Sequence, residues 1–181
     1  MDSPYADRIA DLLEELGIAA DYGTSRGMSL QSEAEELVAA RVLPDGRELR
    51  LLPQTAAAWE AMRTAAAADQ VTLLLISGFR SVAYQRQIID RKRARGDLLE
   101  AILRVNAAPG YSEHHTGRAV DIGTPDSRPL EEEFENTKAF QWLASEAGRF
   151  GFRLSYPRNN PQGIVYEPWH WLHVDSAGGP P

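Results

Sequence analysis

The constraint that bears hardest on this chain of 181 residues is the pairing of two short segments. They are Ser112-Glu113-His114-His115-Thr116-Gly117-Arg118-Ala119-Val120-Asp121 and Glu167-Pro168-Trp169-His170-Trp171. They lie about fifty residues apart, yet between them hold three of the four histidines, with Asp121 and Glu167 alongside. Two imidazoles and one carboxylate make a three-ligand site for a divalent metal that leaves a coordination position open for water or substrate. The remaining carboxylate can act on that water as a general base. Such a site requires the fold to bring both segments to one point. The motif HExxH is absent, which excludes the helical metallopeptidase arrangement.

Local spacing sharpens this reading. His114 and Asp121 are the expected ligand pair of the first segment, with Gly117 between them where a chain leaving a loop for a strand needs a positive φ. The β-branched residues around Val120 suit a short buried strand. Alternation would put Ala119 and Asp121 on one face, the small Ala119 leaving room beside a metal. In the second segment His170 is flanked by two tryptophans that would fix its rotamer by packing. Glu167 precedes His170 by three residues, which a regular strand would place on opposite faces. Pro168 makes the entry irregular and lets Glu167 bend back towards the site.

Ser-x-His-x-x-Gly-x-Ala-x-Asp at 112–121 followed by Glu-Pro-Trp-His at 167–170 resembles the signature of the VanY-type D-alanyl-D-alanine carboxypeptidases, zinc peptidases that trim peptidoglycan stem peptides. Ser77-Gly78-Phe79-Arg80-Ser81 with Tyr84-Gln85, and the approach Phe152-Arg153-Leu154-Ser155-Tyr156-Pro157, are similar to further family segments. The resemblance covers roughly residues 70–175. The Glu-Pro-Trp-His form resembles the carboxypeptidase branch more than the D-Ala-D-Ala dipeptidase branch. The resemblance implies one Zn2+ held by His114, Asp121 and His170, with Glu167 as catalytic base. It further implies Arg80 at the oxyanion or a substrate carboxylate, and Ser112 and Gln85 as substrate contacts. It also implies the hedgehog/D-Ala-D-Ala peptidase fold.

Composition bounds the alternatives. A net charge of −7 argues against nucleic acid and anionic membrane as partners, both of which ask for a basic face. The one basic cluster, Arg86, Arg91, Lys92, Arg93 and Arg95, reads as the solvated end of a helix. With no cysteine, any zinc must be held by nitrogen and oxygen. The N-terminus lacks a signal-peptide apolar core, and no stretch reads as transmembrane, so the chain as written is expected in the cytoplasm. A trimmed chain would instead be exported or wall-associated.

Helices early and strands around the motifs read as α+β, and the resemblance implies a small central antiparallel sheet with helices packed on it and zinc on the open sheet face. A single domain is expected over 1–181. Within it, 1–53 would form an N-terminal helix and hairpin extension, 54–175 the peptidase core and 176–181 a frayed tail. Helices are expected from Ser3-Pro4 to Leu16, from a Thr55 cap to about Ala68, from Ser81 to Gly96, from an Asp97 cap to about Val105, and from Asn136 or Thr137 to Phe150. Residues 20–33 read as loop, 36–42 and 48–52 as a hairpin, and 71–76, 152–155 and 169–174 as strands.

Weighed singly, His115 and His173 read as packed or exposed residues, although His115 could donate to a carboxylate or substrate. Asp121 alone would be a turn acid, and Arg80 alone a structural ion pair. Tyr156 and Tyr166 could line a cleft or simply pack. The function expected is removal of a C-terminal D-alanine from a peptidoglycan stem peptide or muropeptide. The alternatives are an L-Ala-D-Glu-type endopeptidase and a catalytically silent peptidoglycan-binding module. Neither D,D against L,D specificity nor oligomeric state is legible.

Overall fold

Four short strands carry the two motif segments, and their order explains why the segments meet. In the computed structural model, which describes residues 4–174, β3 (Leu74–Ser77), β4 (Ala119–Gly123), β5 (Phe152–Leu154) and β6 (His170–His173) form one sheet ordered β3-β4-β6-β5. Every pairing is antiparallel, and Asp121 faces His170 directly across the β4–β6 ladder. Period-two alternation sends Val120, Ile122 and Trp171 into the core and leaves Ala119, Asp121 and His170 on the other face.

That core is closed by two helices. The alanine-rich α3 (Pro53–Ala68) supplies Trp59, Met62 and Ala66, and α6 (Lys138–Glu146) supplies Ala139, Trp142 and Leu143. A second core joins α1 (Pro4–Glu15), α4 (Val82–Ala94) and α5 (Leu99–Val105) through Ile9, Leu13, Val82, Ile89, Ile102 and Leu103. The hairpin β1 (Val38–Val42) and β2 (Glu48–Leu51) lies against the sheet, with Phe79 N–H donating to Arg50 O and Leu51 buried in the first core. The architecture is α+β, as expected. Residues 4–52 contribute to both cores, α1 to one and Leu51 to the other.

Several local expectations need correction. Residues 20–33 include a short helix, α2 (Tyr22–Ser25). Thr55 does not cap α3: Pro53, whose missing N–H costs nothing there, occupies the first turn, and Thr55 Oγ1 sits buried 3.2 Å from His173 Nδ1. Asp97 does not cap α5 either, since Leu98 holds the cap position with no side-chain bond. The strand expected at 71–76 pairs only from Leu74, because Val71 N–H still bonds back to Ala66 O. The helix expected over 136–150 is broken into 3-10 turns at Glu132–Asn136 and Ala147–Phe150 around α6, with Thr137 as cap. The tail at 176–181 and the helix start at Ser3 lie outside the described residues.

Candidate active site

The donors of the expected metal site converge. One ligand atom from each of His114, Asp121 and His170 lies within 4.8 Å of the others, and all three residues are buried. His114 comes from the 3-10 turn Glu113–Thr116, which Gly117 ends with φ +66°. A Cβ at Gly117 would also lie 3.1 Å from the Leu52 backbone nitrogen, so space as well as conformation favours glycine there. His114 Nδ1 lies 2.6 Å from the Gly78 carbonyl. A carbonyl only accepts, so Nδ1 carries the proton and the Nε2 lone pair faces the site. That Nε2 is buried and makes no hydrogen bond, although Asp121 Oδ2 is 3.3 Å away. The unbonded Nε2 and a carboxylate oxygen at this spacing match neighbouring ligands of a tetrahedral ion with ~2.0 Å bonds. The nitrogen and oxygen donor set therefore fits Zn2+.

His170 is held at both ring nitrogens. Nδ1 lies 3.1 Å from Asp121 Oδ1, and Nε2 lies 2.9 Å from Glu113 Oε2. Burial alone would push this imidazole down, but the two carboxylates outweigh it and hold its pKa up at about 10. His114 goes the other way, lowered by burial and by the Arg80 guanidinium to about 4. Asp121 is pulled below the usual carboxylate range: burial opposes this, and the two histidines win. Glu113 is likewise lowered, burial being outweighed by His170.

Glu167 reaches the same point from outside the ladder. Pro168 and Trp169 form a turn in which His170 N–H bonds back to Glu167 O, bringing Glu167 Oε2 to 3.8 Å from His170 Nδ1. Burial, with Asp121 adding, raises its pKa to about 7 against the pull of His170. A carboxyl poised near neutrality suits a group that must take and return a proton.

Arg80, Gln85 and Ser112 line one small cavity of about 20 Å3 together with Tyr156, Glu167 and His170. Its size leaves room for little more than one water-sized group. Arg80 Nε and Gln85 Oε1 are both buried without a hydrogen-bond partner, so each is available to a ligand. Gln85 is oriented by its Nε2, which donates to Ala107 O at 2.8 Å. Arg80 and Glu167 also line an open cleft of about 200 Å3 with Val105, Asn106, Asp121, Leu130, Val165 and Trp169. A roomier cavity of about 330 Å3 lies between α1 and residues 18–30, but none of these site histidines or arginines faces it.

All seven site residues expected from sequence thus come together, and the structure adds to them. His115 is not a donor to carboxylate or substrate: its Nδ1 lies 2.6 Å from Arg80 O, and its Nε2 accepts from Gly110 N–H. It fixes the backbone that carries Arg80. His173 packs away from the site on Thr55. Tyr156 lines the small cavity, its ring 4.9 Å from that of His170, whereas Tyr166 stacks under Arg158. Glu113 was missed by sequence reasoning. The available signal was that a ligating imidazole normally donates its second N–H to a carboxylate.

The profile of the family described as "VanY: D-alanyl-D-alanine carboxypeptidase" matches residues 48–176. YodJ of Bacillus subtilis (strain 168) is 34% identical over 127 residues, covering 67% of this chain and 45% of YodJ. A D-alanyl-D-alanine carboxypeptidase of Enterococcus faecalis is 36% identical over 121 residues, covering 61% of this chain and 43% of that protein. The chain spans less than half the length of these two relatives. Among solved structures, the LdcB LD-carboxypeptidase superposes with a TM-score of 0.69 at 31% identity, covering 80% of this chain and 70% of that one. A variant of the vancomycin-resistance D,D-pentapeptidase VanY in complex with Zn(II) superposes with a TM-score of 0.60 at 28% identity, covering 81% and 87%.

Proposed function

The chain belongs to the VanY D-alanyl-D-alanine carboxypeptidase family, and from that membership and the site geometry we propose that it is a zinc-dependent carboxypeptidase removing a C-terminal D-alanine from peptidoglycan stem peptides. We take residues 54–175 as the peptidase core of a single domain and 1–53 as an extension bound to it. The observation that carries the reading is the buried Glu167 carboxylate beside the His114, Asp121 and His170 donors, with a small cavity on one side and an open cleft on the other.

His114, Asp121 and His170 would hold a zinc ion, which would supply Lewis acidity to the scissile carbonyl and to the attacking water. Glu167 takes the proton of the attacking water as its oxygen joins the carbonyl carbon. When the C–N bond breaks, Glu167 returns that proton to the departing amine. Arg80, with an unpartnered buried Nε, holds the terminal carboxylate or the developing oxyanion. Ser112 and Gln85 line the small cavity, which suits the methyl side chain of a terminal alanine. Such a cavity does not suit the L-Ala-D-Glu endopeptidase alternative, which must pass chain on both sides. A silent binding module would have no use for a buried carboxylate set beside the three metal donors.

A second reading, an L,D-carboxypeptidase, is favoured by the likeness to LdcB. Incubating the zinc-loaded protein with a stem pentapeptide and a stem tetrapeptide and weighing the products separates the two. Loss of one alanine from the pentapeptide alone gives the D,D activity, and trimming of the tetrapeptide gives the L,D activity. Internal cleavage, or no product with zinc bound, would sink both.

A further inference from the structure

Asn106 closes α5 in an extended conformation, and Lys92 Nζ of α4 lies 2.5 Å from its Oδ1. That contact settles which way round the amide sits. An ammonium has donors and no acceptor, so the atom facing it must be the carbonyl oxygen. Asn106 Nδ2, with two N–H donors, is therefore turned away from Lys92, and among the described residues it makes no hydrogen bond. Lys92 is half-buried in a basic stretch where Arg91, Arg93 and Arg95 are exposed, and burial lowers its pKa. Holding a lysine there has a cost, and orienting Asn106 is the visible return.

Asn106 lines both chambers of the site, the small cavity beside Ser112 and the open cleft beyond Arg80 and Glu167. A peptide crossing the open cleft presents backbone carbonyls that need donors. Beside the Trp169 indole and Arg80, which the proposed mechanism gives to the terminal carboxylate or oxyanion, the cleft offers apolar side chains at Val105, Leu130 and Val165 and carboxylates at Asp121 and Glu167. Its one side-chain amide is that of Asn106.

We propose that Asn106 is a substrate-binding residue whose Nδ2 donates to a backbone carbonyl of the peptide upstream of the scissile bond, and that Lys92 is the positioning residue that orients it. The inference rests on the peptidase reading and deepens it, since it makes a peptide with an upstream carbonyl the preferred substrate.

The test compares the stem pentapeptide and tetrapeptide with D-Ala-D-Ala and L-Lys-D-Ala, which have no carbonyl upstream of the acyl residue. Asn106→Ala raises KM for the long peptide that the wild type cleaves by about three- to tenfold, as expected for one neutral hydrogen bond, with kcat little changed. The matching dipeptide shows no such rise. Asn106→Asp keeps the shape, loses the donor and shows the same defect. Lys92→Ala shows part of it, and Lys92→Arg, which keeps an oxygen-facing cation, restores most of the lost affinity. Calorimetric binding of the long peptide to the zinc-loaded Glu167→Gln protein, with and without Asn106→Ala, reads the same term without turnover. Equal affinity in those two proteins, or an equal KM rise for long and short substrates, overturns the inference alone. A wild-type chain that neither cleaves nor binds either long peptide overturns the peptidase reading with it.

Discussion

Two hydrophobic cores stand behind the two sides of the cleft, and they place functional groups by different means. On the sheet side, Val120, Ile122 and Trp171 are buried against Trp59, Met62 and Leu143, while Asp121 and His170 face each other across one rung of the ladder. Register does the placing there, since a one-residue slip of β4 would turn Asp121 into the core. On the helical side, α1, α4 and α5 meet through Ile9, Leu13, Val82, Ile89 and Ile102. The groups in front of them are held singly: Gln85 by Ala107 O, the Arg80 backbone by His115, and Asn106 by Lys92. On the proposed mechanism the first side holds the metal donors and the base, and the second holds the groups that grip the substrate.

The largest effect tests the base. Glu167→Gln should lower kcat by about 10²–10⁴-fold, the usual worth of a positioned general base, with zinc content unchanged. Persistent turnover would remove Glu167 from the mechanism and leave the sheet side holding metal only.

The comparison itself is tested by a matched pair of cavities. Ile122 and Ile89 are each fully buried, one in either core. Ile122→Ala and Ile89→Ala should each cost about 2–5 kcal/mol in denaturant unfolding. At temperatures where both remain folded, Ile122→Ala should weaken zinc binding and Ile89→Ala should raise KM. The reverse pattern would show that the two sides are not separately supported.

Glu113→Gln probes the grip on His170 from the sheet side. Loss of the carboxylate 2.9 Å from Nε2 should weaken zinc by about 10–100-fold in competition with a chromophoric chelator. Proton linkage follows from the same contacts. His170, held at about 10 in the metal-free protein, is an imidazolium at pH 7, and a metal ligand must be neutral. Zinc uptake at pH 7 should therefore release a proton, read by calorimetry in buffers of different ionisation enthalpy. The sign for stability is the same. A pKa raised from 6.5 to about 10 contributes stability that is fully present below about pH 6.5 and lost as pH rises through 10. The metal-free protein should melt lower at pH 10 than at pH 6.5, and uptake without proton release would contradict the His170 contacts.

The two sides also differed in how far they could be read from sequence. The sheet side was legible because its residues fall in two short motifs: Asp121 and His170 face each other across one rung, and His114 and Glu167 stand in the turns that lead into those two strands. Even the bend at Glu167 followed from Pro168. The helical side was legible only in its helices. Lys92 read as one more solvated cation, because nothing in α4 alone says that its last turn packs beside the end of α5. His115 read as bland, since both its partners are backbone groups, the Gly110 N–H and the distant Arg80 carbonyl. Glu113 was hidden by being beside a ligand while serving a different one, 57 residues on. Contacts fixed by tertiary packing leave no periodic trace.

The smallest effect concerns the start of α4, which carries Val82, Gln85 and Lys92 into the helical side. Ser81 Oγ accepts from Tyr84 N–H at 3.0 Å, and Glu33 Oε1 accepts from Val82 N–H at 2.6 Å. Two acceptors share the orphan donors of one helix end, so removing one leaves the other in place. Ser81→Ala should then cost about 1 kcal/mol or somewhat less, with a KM rise of at most a few fold and zinc affinity untouched. Thr137 caps α6 on the sheet side by the same geometry, accepting from Phe140 N–H at 3.2 Å. Thr137→Ala should lose similar stability with no change in KM. Melting curves confirm that the two losses match, and only then does a KM difference speak to position. Equal KM values would mean that the start of α4 holds the helix without holding the cleft, and would confine the substrate-side support to Ala107, His115 and Lys92.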